Sequence, residues 1–188
     1  MDLRENRAME LESGIAAFET KNFAHATKLL SPIAEEGNPD AMYRMAIMLQ
    51  NGLGCRANED KAFSYMKKAA ENGLPLAMHA LGFMYFEGEC TEKNPQLCIE
   101  WFERAANEGM MGSATTLGMI FEEGKIVEQD LGKAEEWYKK AGISKSSSSL
   151  FIASGSLHSD EVSLVTSSEN NWGTSFEFFS IFSAGFSS

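Results

Sequence analysis

Positive charge is scarce in this chain. It carries 16 Lys and Arg against 27 Asp and Glu, for a net charge of −11. A nucleic-acid backbone or an anionic membrane surface would repel such a protein, so neither is expected as a partner. Long apolar runs are also missing. No stretch of about 18 apolar residues occurs, so no transmembrane helix is expected. The opening MDLRENRAMELESG places charges where a signal peptide needs an apolar core, and the chain reads as cytoplasmic. Cysteines number only three, an odd and sparse set that argues against a disulfide framework.

Residues that do chemistry are equally thin. His25, His79 and His158 are scattered and form no H-E-x-x-H zinc pattern. No strand precedes a glycine-rich phosphate loop. Ser64-Tyr65-Met66-Lys67 matches the S-x-x-K nucleophile motif, but the companion S-D-N and K-T-G motifs are absent. Chance yields roughly one such match in a chain of this composition. Glu122-Glu123 and Glu135-Glu136 read as surface charge rather than as acid–base pairs. No catalytic residue, metal or cofactor is expected.

What the chain does have is repetition. AMYRMAIMLQNG, AMHALGFMYFEG and SATTLGMIFEEG begin at residues 41, 77 and 113, a period of 36. Ala41, Ala77 and Ser113 align, as do Met45, Leu81 and Leu117, and Leu49, Tyr85 and Phe121. Their spacing of four residues marks one face of a helix. A tiny residue (Ala46, Gly82, Gly118) lets a second helix come close. Gly52, Gly88 and Gly124 stand where the first helix should stop, since a left-handed C-terminal residue favours glycine. After a loop of about seven residues a second helix carries Ala62, Cys98 and Ala134, then Tyr65, Trp101 and Trp137, then Ala69, Ala105 and Ala141. Cys98 is therefore read as a small buried residue, although Cys90 and Cys98 could in principle pair.

Residues 9–37 read as a shorter unit. One helix ends near Lys21, Asn22 caps the next, and Pro32 is expected to kink or interrupt that second helix.

The three long copies resemble Sel-one-like repeats, relatives of the tetratricopeptide repeat. The resemblance spans residues 40–142 and rests on LGFMYFEG...CIEWFERAANEG and LGMIFEEGKIVEQDLGKAEEWYKKAG. Residues 9–37 resemble a plain tetratricopeptide repeat. Cys90 and Ile126 depart from the pattern where Gly54 keeps the second loop glycine, and Met45-Ala46 stands in place of Leu-Gly. The resemblance implies an all-α fold, a right-handed α-solenoid of helix-turn-helix units over residues 1–143. The units are 9–37, 40–75, 76–111 and 112–143. Stacked neighbours then share one core that no unit could bury alone.

The composition breaks after residue 143. From Ser146 to Ser188 there is no Lys or Arg, serine abounds, and the end GTSFEFFSIFSAGFSS is rich in Phe. Residues 144–188 are read as an irregular, poorly packed or disordered tail and an aggregation hazard if exposed. A natural linker, an irregular cap and an altered end joined to a truncated array all fit. The third is preferred, because the break follows a complete repeat.

In tetratricopeptide-like solenoids the first helix of each unit lines a concave groove. The resemblance selects Tyr43, Ile47, Gln50 and Asn51 in the first long unit, His79, Phe83, Phe86 and Glu87 in the second, and Thr115, Met119, Glu122 and Glu123 in the third. Ile47, Phe83 and Met119 are equivalent and would form one apolar rung per unit; packing between neighbouring helices is the competing reading. The expected function is a non-enzymatic scaffold or adaptor. It would bind another protein or peptide, one with basic flanks, on this face. A serine hydrolase of β-lactam-binding type, or a purely structural segment of a larger array, are the alternatives.

Overall fold

The structure, a computed structural model, describes residues 3–143. The serine- and phenylalanine-rich tail read from the sequence lies outside the described residues. Within the unit Met1–Gly142 the chain forms eight described helices: α1 Leu3–Glu19, α2 Phe23–Glu35, α3 Pro39–Asn51, α4 Glu59–Glu71, α5 Pro75–Glu87, α6 Pro95–Asn107, α7 Met111–Glu123 and α8 Leu131–Lys140. No strand occurs among the described residues. Each odd-numbered helix pairs with the even-numbered helix after it, and each pair packs on the next. The fold is an α-solenoid of four helix pairs.

Local sequence explains the boundaries. Gly52, Gly88 and Gly124 end α3, α5 and α7 in the left-handed conformation, at φ of 66°, 74° and 64°. Each N–H there reaches back to the carbonyl of Met48, Met84 or Ile120. The even-numbered helices start on a cap that recurs every 36 residues: Asn22, Asn58, Asn94 and Asp130. Each side-chain oxygen accepts from the backbone N–H three residues on. Each cap's own N–H bonds the preceding helix, on the carbonyls of Ala17, Leu49, Tyr85 and Phe121, at 2.8–2.9 Å. One residue per unit therefore starts the second helix and staples it to the first.

That staple places the first unit in register with the others. Ala26, Leu30 and Ala34 of α2 correspond to Ala62, Met66 and Ala70 of α4, and all six are buried. The connection between α1 and α2 is four residues shorter than the seven-residue loops at 52–58, 88–94 and 124–130. The helix contact shifts by the same four. A Cβ on Gly14 would lie 2.5 Å from Leu30, sixteen residues on; a Cβ on Gly82 would lie 2.8 Å from Phe102, twenty residues on.

The close approach inferred for Gly82 and Gly118 has a specific cause. In each case the opposite helix presents an aromatic ring, Phe102 or Tyr138, with a ring carbon 2.8 Å or 2.6 Å from where a Cβ would stand. The first long unit carries Ala46 and Met66 at the equivalent positions, both fully buried. Alanine meets methionine, and glycine meets an aromatic. Gly82→Ala alone is expected to cost about 1–3 kcal/mol by overpacking. In a Phe102→Met background, which restores the first unit's combination, most of that cost should vanish in a double-mutant cycle of urea titrations. Equal costs in both backgrounds would show that the two positions are uncoupled.

Two expectations need correction. The first helix starts at Leu3, ahead of the start read at residue 9, and ends at Glu19, near Lys21 as read. Of the two outcomes expected for Pro32, a kink or an end, the end does not occur: α2 continues to Glu35. Proline here sits four residues before the C-cap, on an exposed position, so only one backbone hydrogen bond is forfeited.

The core runs along the helix pairs. Trp101 and Tyr65 are buried, and Phe102, Met66, Leu81 and Leu117 have essentially no exposed surface. Cys98 is fully buried, as its alignment with alanine required, and all three cysteines are free thiols.

Candidate partner-binding face

The residues selected for a binding face lie on α3, α5 and α7. Tyr43, Ile47 and Gln50 are partly exposed on α3, and Asn51 is exposed at its end, its amide donating to the Ile47 carbonyl at 2.9 Å. Met119 on α7 is 47 % exposed. Thr115 bonds its own helix, its hydroxyl donating to the Met111 carbonyl at 3.1 Å. Burial holds the Tyr43 hydroxyl above its ordinary pKa.

The middle unit differs. His79, Phe83 and Phe86 form a chain of edge-on rings along α5, with centroids 4.9 Å and 6.4 Å apart. Phe83 also leans edge-on against Phe102 of α6, at 5.0 Å. It is partly buried, with its inner side in the core. The two readings of Phe83, packing and surface, describe two sides of one ring. His79 is likewise partly buried. Its Nδ1 stands 2.7 Å from the Ser113 hydroxyl of α7, and its ring is 5.5 Å from Phe102.

The three carboxylates chosen as contacts for a basic partner are not equivalent. Tyr138 donates a 2.6 Å hydrogen bond to Glu122. Burial, with that carboxylate second, raises the Tyr138 pKa. Glu123 pairs with Lys125 at 3.0 Å. Glu87 is exposed at the end of α5, beside Phe86. The odd-numbered helices of the long units carry one cation, Arg44, and it pairs with Asp40 at 3.3 Å. The face is thus apolar with a negative edge.

Nothing in this neighbourhood is set up for covalent chemistry. Ser113 lies beside a histidine but has no exposed surface, so its hydroxyl satisfies the core and cannot meet a substrate. Lys67, one turn from Ser64, points to Glu71 at 4.0 Å. Burial pushes the Cys90 thiol up to about 11 and the Cys98 thiol up to about 12, the opposite of an activated nucleophile. Among the described residues no cluster of His, Cys, Asp and Glu could hold a metal.

Sequence reasoning missed Phe102, Tyr138 and the role of Ser113. A signal existed for each. Phe102 and Tyr138 fall on the period twenty residues after the two glycines. Ser113 puts a hydroxyl where Ala41 and Ala77 stand, and a buried hydroxyl demands a partner.

Comparison with known proteins agrees with this architecture. A Sel1 repeat protein from Oxalobacter formigenes is 26% identical, with a TM-score of 0.65 over 71% of this chain and 53% of its own. A protective antigen of uropathogenic Escherichia coli strains that displays an SLR fold is 32% identical, with a TM-score of 0.66 over 72% of this chain and 30% of its own. The chain thus spans about half of the first protein and under a third of the second. No curated protein matches it. The Sel1 repeat itself matches at residues 39–74, 75–110 and 114–143, in step with α3–α4, α5–α6 and α7–α8. With more than half of its residues in three such units, the chain belongs to the Sel1 repeat family.

Proposed function

We propose that this protein is a non-catalytic adaptor that binds another protein or peptide across the exposed sides of α3, α5 and α7. Repeats of this family generally mediate protein–protein interaction. The observation that carries the reading is Met119. It is nearly half exposed on a helix whose neighbouring positions Leu117, Gly118 and Ile120 are buried. Ile47 and Phe83 are its equivalents, partly open on the adjacent units. An apolar position that stays open in all three units favours an extended partner that touches each unit in turn. Glu87 supplies a negative edge for a basic flank of that partner.

Met119→Asp tests this without disturbing the core. Wild type and variant, both as the full chain, are immobilised and offered the same cell extract; captured partners are then titrated individually. Met119→Asp is expected to weaken binding by about 2 kcal/mol, roughly thirtyfold, at unchanged melting temperature. Phe83→Ala should weaken it similarly but also lower the melting temperature, because that ring is shared with the core. Glu87→Gln should slow association and flatten its salt dependence. Partners that bind Met119→Asp as tightly as wild type would move the binding surface elsewhere.

A further inference from the structure

We infer that His79 makes the junction between the second and third long units an acid-labile joint, so that mild acid loosens α7–α8 while α3–α6 stay closed.

The polar contact between α5 and α7 is set among aromatic rings, while a second one, from exposed Lys140 of α8 to Asn107 of α6, lies at the rim of the junction. His79 Nδ1 and the fully buried Ser113 hydroxyl meet at 2.7 Å across α5 and α7. Phe83 and Phe102 hold the ring edge-on at 4.9 Å and tilted at 5.5 Å, and the ring lies 3.9 Å from where a Cβ on Gly112 would stand. A neutral ring can accept the serine proton at Nδ1. A protonated ring makes Nδ1 a donor, so the serine must turn its own hydrogen away into apolar surroundings. The preceding junction has Tyr43 and Ala77 at these two positions, a pair that does not titrate in mild acid.

Electrostatics offers the imidazolium no help. Burial is the sole cause of the His79 shift, which lowers its pKa from 6.5 to about 4. The charged groups of the packed helices stand away from the ring. On α5 the carboxylate is Glu87, two turns further on, about 12 Å along the axis. On α7 they are Glu122 and Glu123, about 14 Å beyond Ser113 by the same rise. On α6, Glu100 is paired with Arg104 at 2.5 Å, and Glu103 follows Phe102 by one residue and so turns off its face. The Cys98 thiol of α6 stays neutral in this range. On α4, which also packs on α5, Lys61 is paired with Glu35 and Lys67 with Glu71, while Glu59 and Asp60 lie toward Cys90; on α3, Arg44 is paired with Asp40.

The sign follows from linkage. The closed state holds His79 neutral down to about pH 4, while an opened joint lets it take a proton below about 6.5. The open state therefore binds more protons between these values. The joint is fully stable above pH 6.5 and loses stability as pH falls toward 4. At pH 5 the two values give an opening constant raised about thirtyfold. Because repeat arrays open unit by unit, and α7–α8 touches a described neighbour on one side alone, that opening is confined to the third unit.

Amide hydrogen exchange of the full chain at pH 7 and pH 5, expressed as protection relative to the unstructured rate, tests this. Protection in α7–α8 should fall about twentyfold more than in α3–α6. In His79→Gln, which keeps an acceptor for Ser113 and cannot titrate here, the two regions should change together. A uniform loss in the wild type, or the same selective loss in His79→Gln, overturns the inference. An NMR titration of the His79 ring in the wild-type protein stands independent of how the variant folds. A midpoint well below 6 with α7–α8 closed supports the joint, and a midpoint near 6.5 overturns it.

Discussion

Gly54→Ala is expected to lower the unfolding free energy by about 4 kcal/mol. Two costs combine. Gly54 has φ of +65°, and a side chain in the left-handed region costs about 1–2 kcal/mol. The larger cost is steric. A Cβ at this position would fall 2.3 Å from the carbonyl carbon of Phe23 and 2.4 Å from its oxygen. These are backbone atoms at the start of α2 and cannot rotate away, so the overlap must be relieved by separating the first long unit from the unit before it. Position 90, one period on, separates the two contributions. Cys90 adopts the same conformation, with φ of +57°, so the second loop shows that a side chain can live there when the space exists. Cys90→Gly should be neutral or slightly stabilising, while Gly54→Ala should be severe. Urea titrations of both variants decide the matter. A loss below about 1 kcal/mol for Gly54→Ala would mean that the 52–58 loop is free to move off α2.

Phe102→Ala is expected to cost about 3–5 kcal/mol, the range for a fully buried aromatic that leaves a cavity. Phe102 has no exposed surface, fills the space left by Gly82 and touches both His79 and Phe83. Its neighbours cannot close the gap easily, because the glycine has no side chain to advance and Phe83 is held by its own ring contacts. Urea denaturation measures the loss. A second readout follows from the same geometry: opening the space around His79 should admit water and bring the His79 pKa back up toward 6.5. A cost under about 1 kcal/mol, with the His79 titration unmoved, would mean that Phe102 does not organise the junction.

The face chosen from the sequence for partner binding was only partly legible. Ile47 and Met119 could be picked because the helical period leaves them off the core stripe. The period says nothing about what each side chain finds beyond its own helix. Glu122 meets Tyr138 and Glu123 meets Lys125, contacts that depend on how α7, α8 and their loop come together. His79 looked like one more surface position by its spacing. The only sign of its burial was the serine at 113, which reads as a polar slip in an alanine column until the two helices are placed side by side.

The sequence by itself determined that the chain is helical and that it repeats. It also determined where each odd-numbered helix of the long units ends, because glycine at 52, 88 and 124 and the four-residue apolar spacing are local signals that act within a turn or two of chain. The asparagine and aspartate caps at 22, 58, 94 and 130 belong to the same class, since a cap bonds its own backbone three residues on. What only the tertiary structure decided is the identity of neighbours. Gly14 faces Leu30 but Gly82 faces Phe102, Gly54 lies against Phe23, and His79 reaches Ser113. Each pair is separated by sixteen to thirty-four residues. Such contacts are fixed by the rotation and depth at which whole helices pack, which depend on the summed shape of both surfaces rather than on any local pattern.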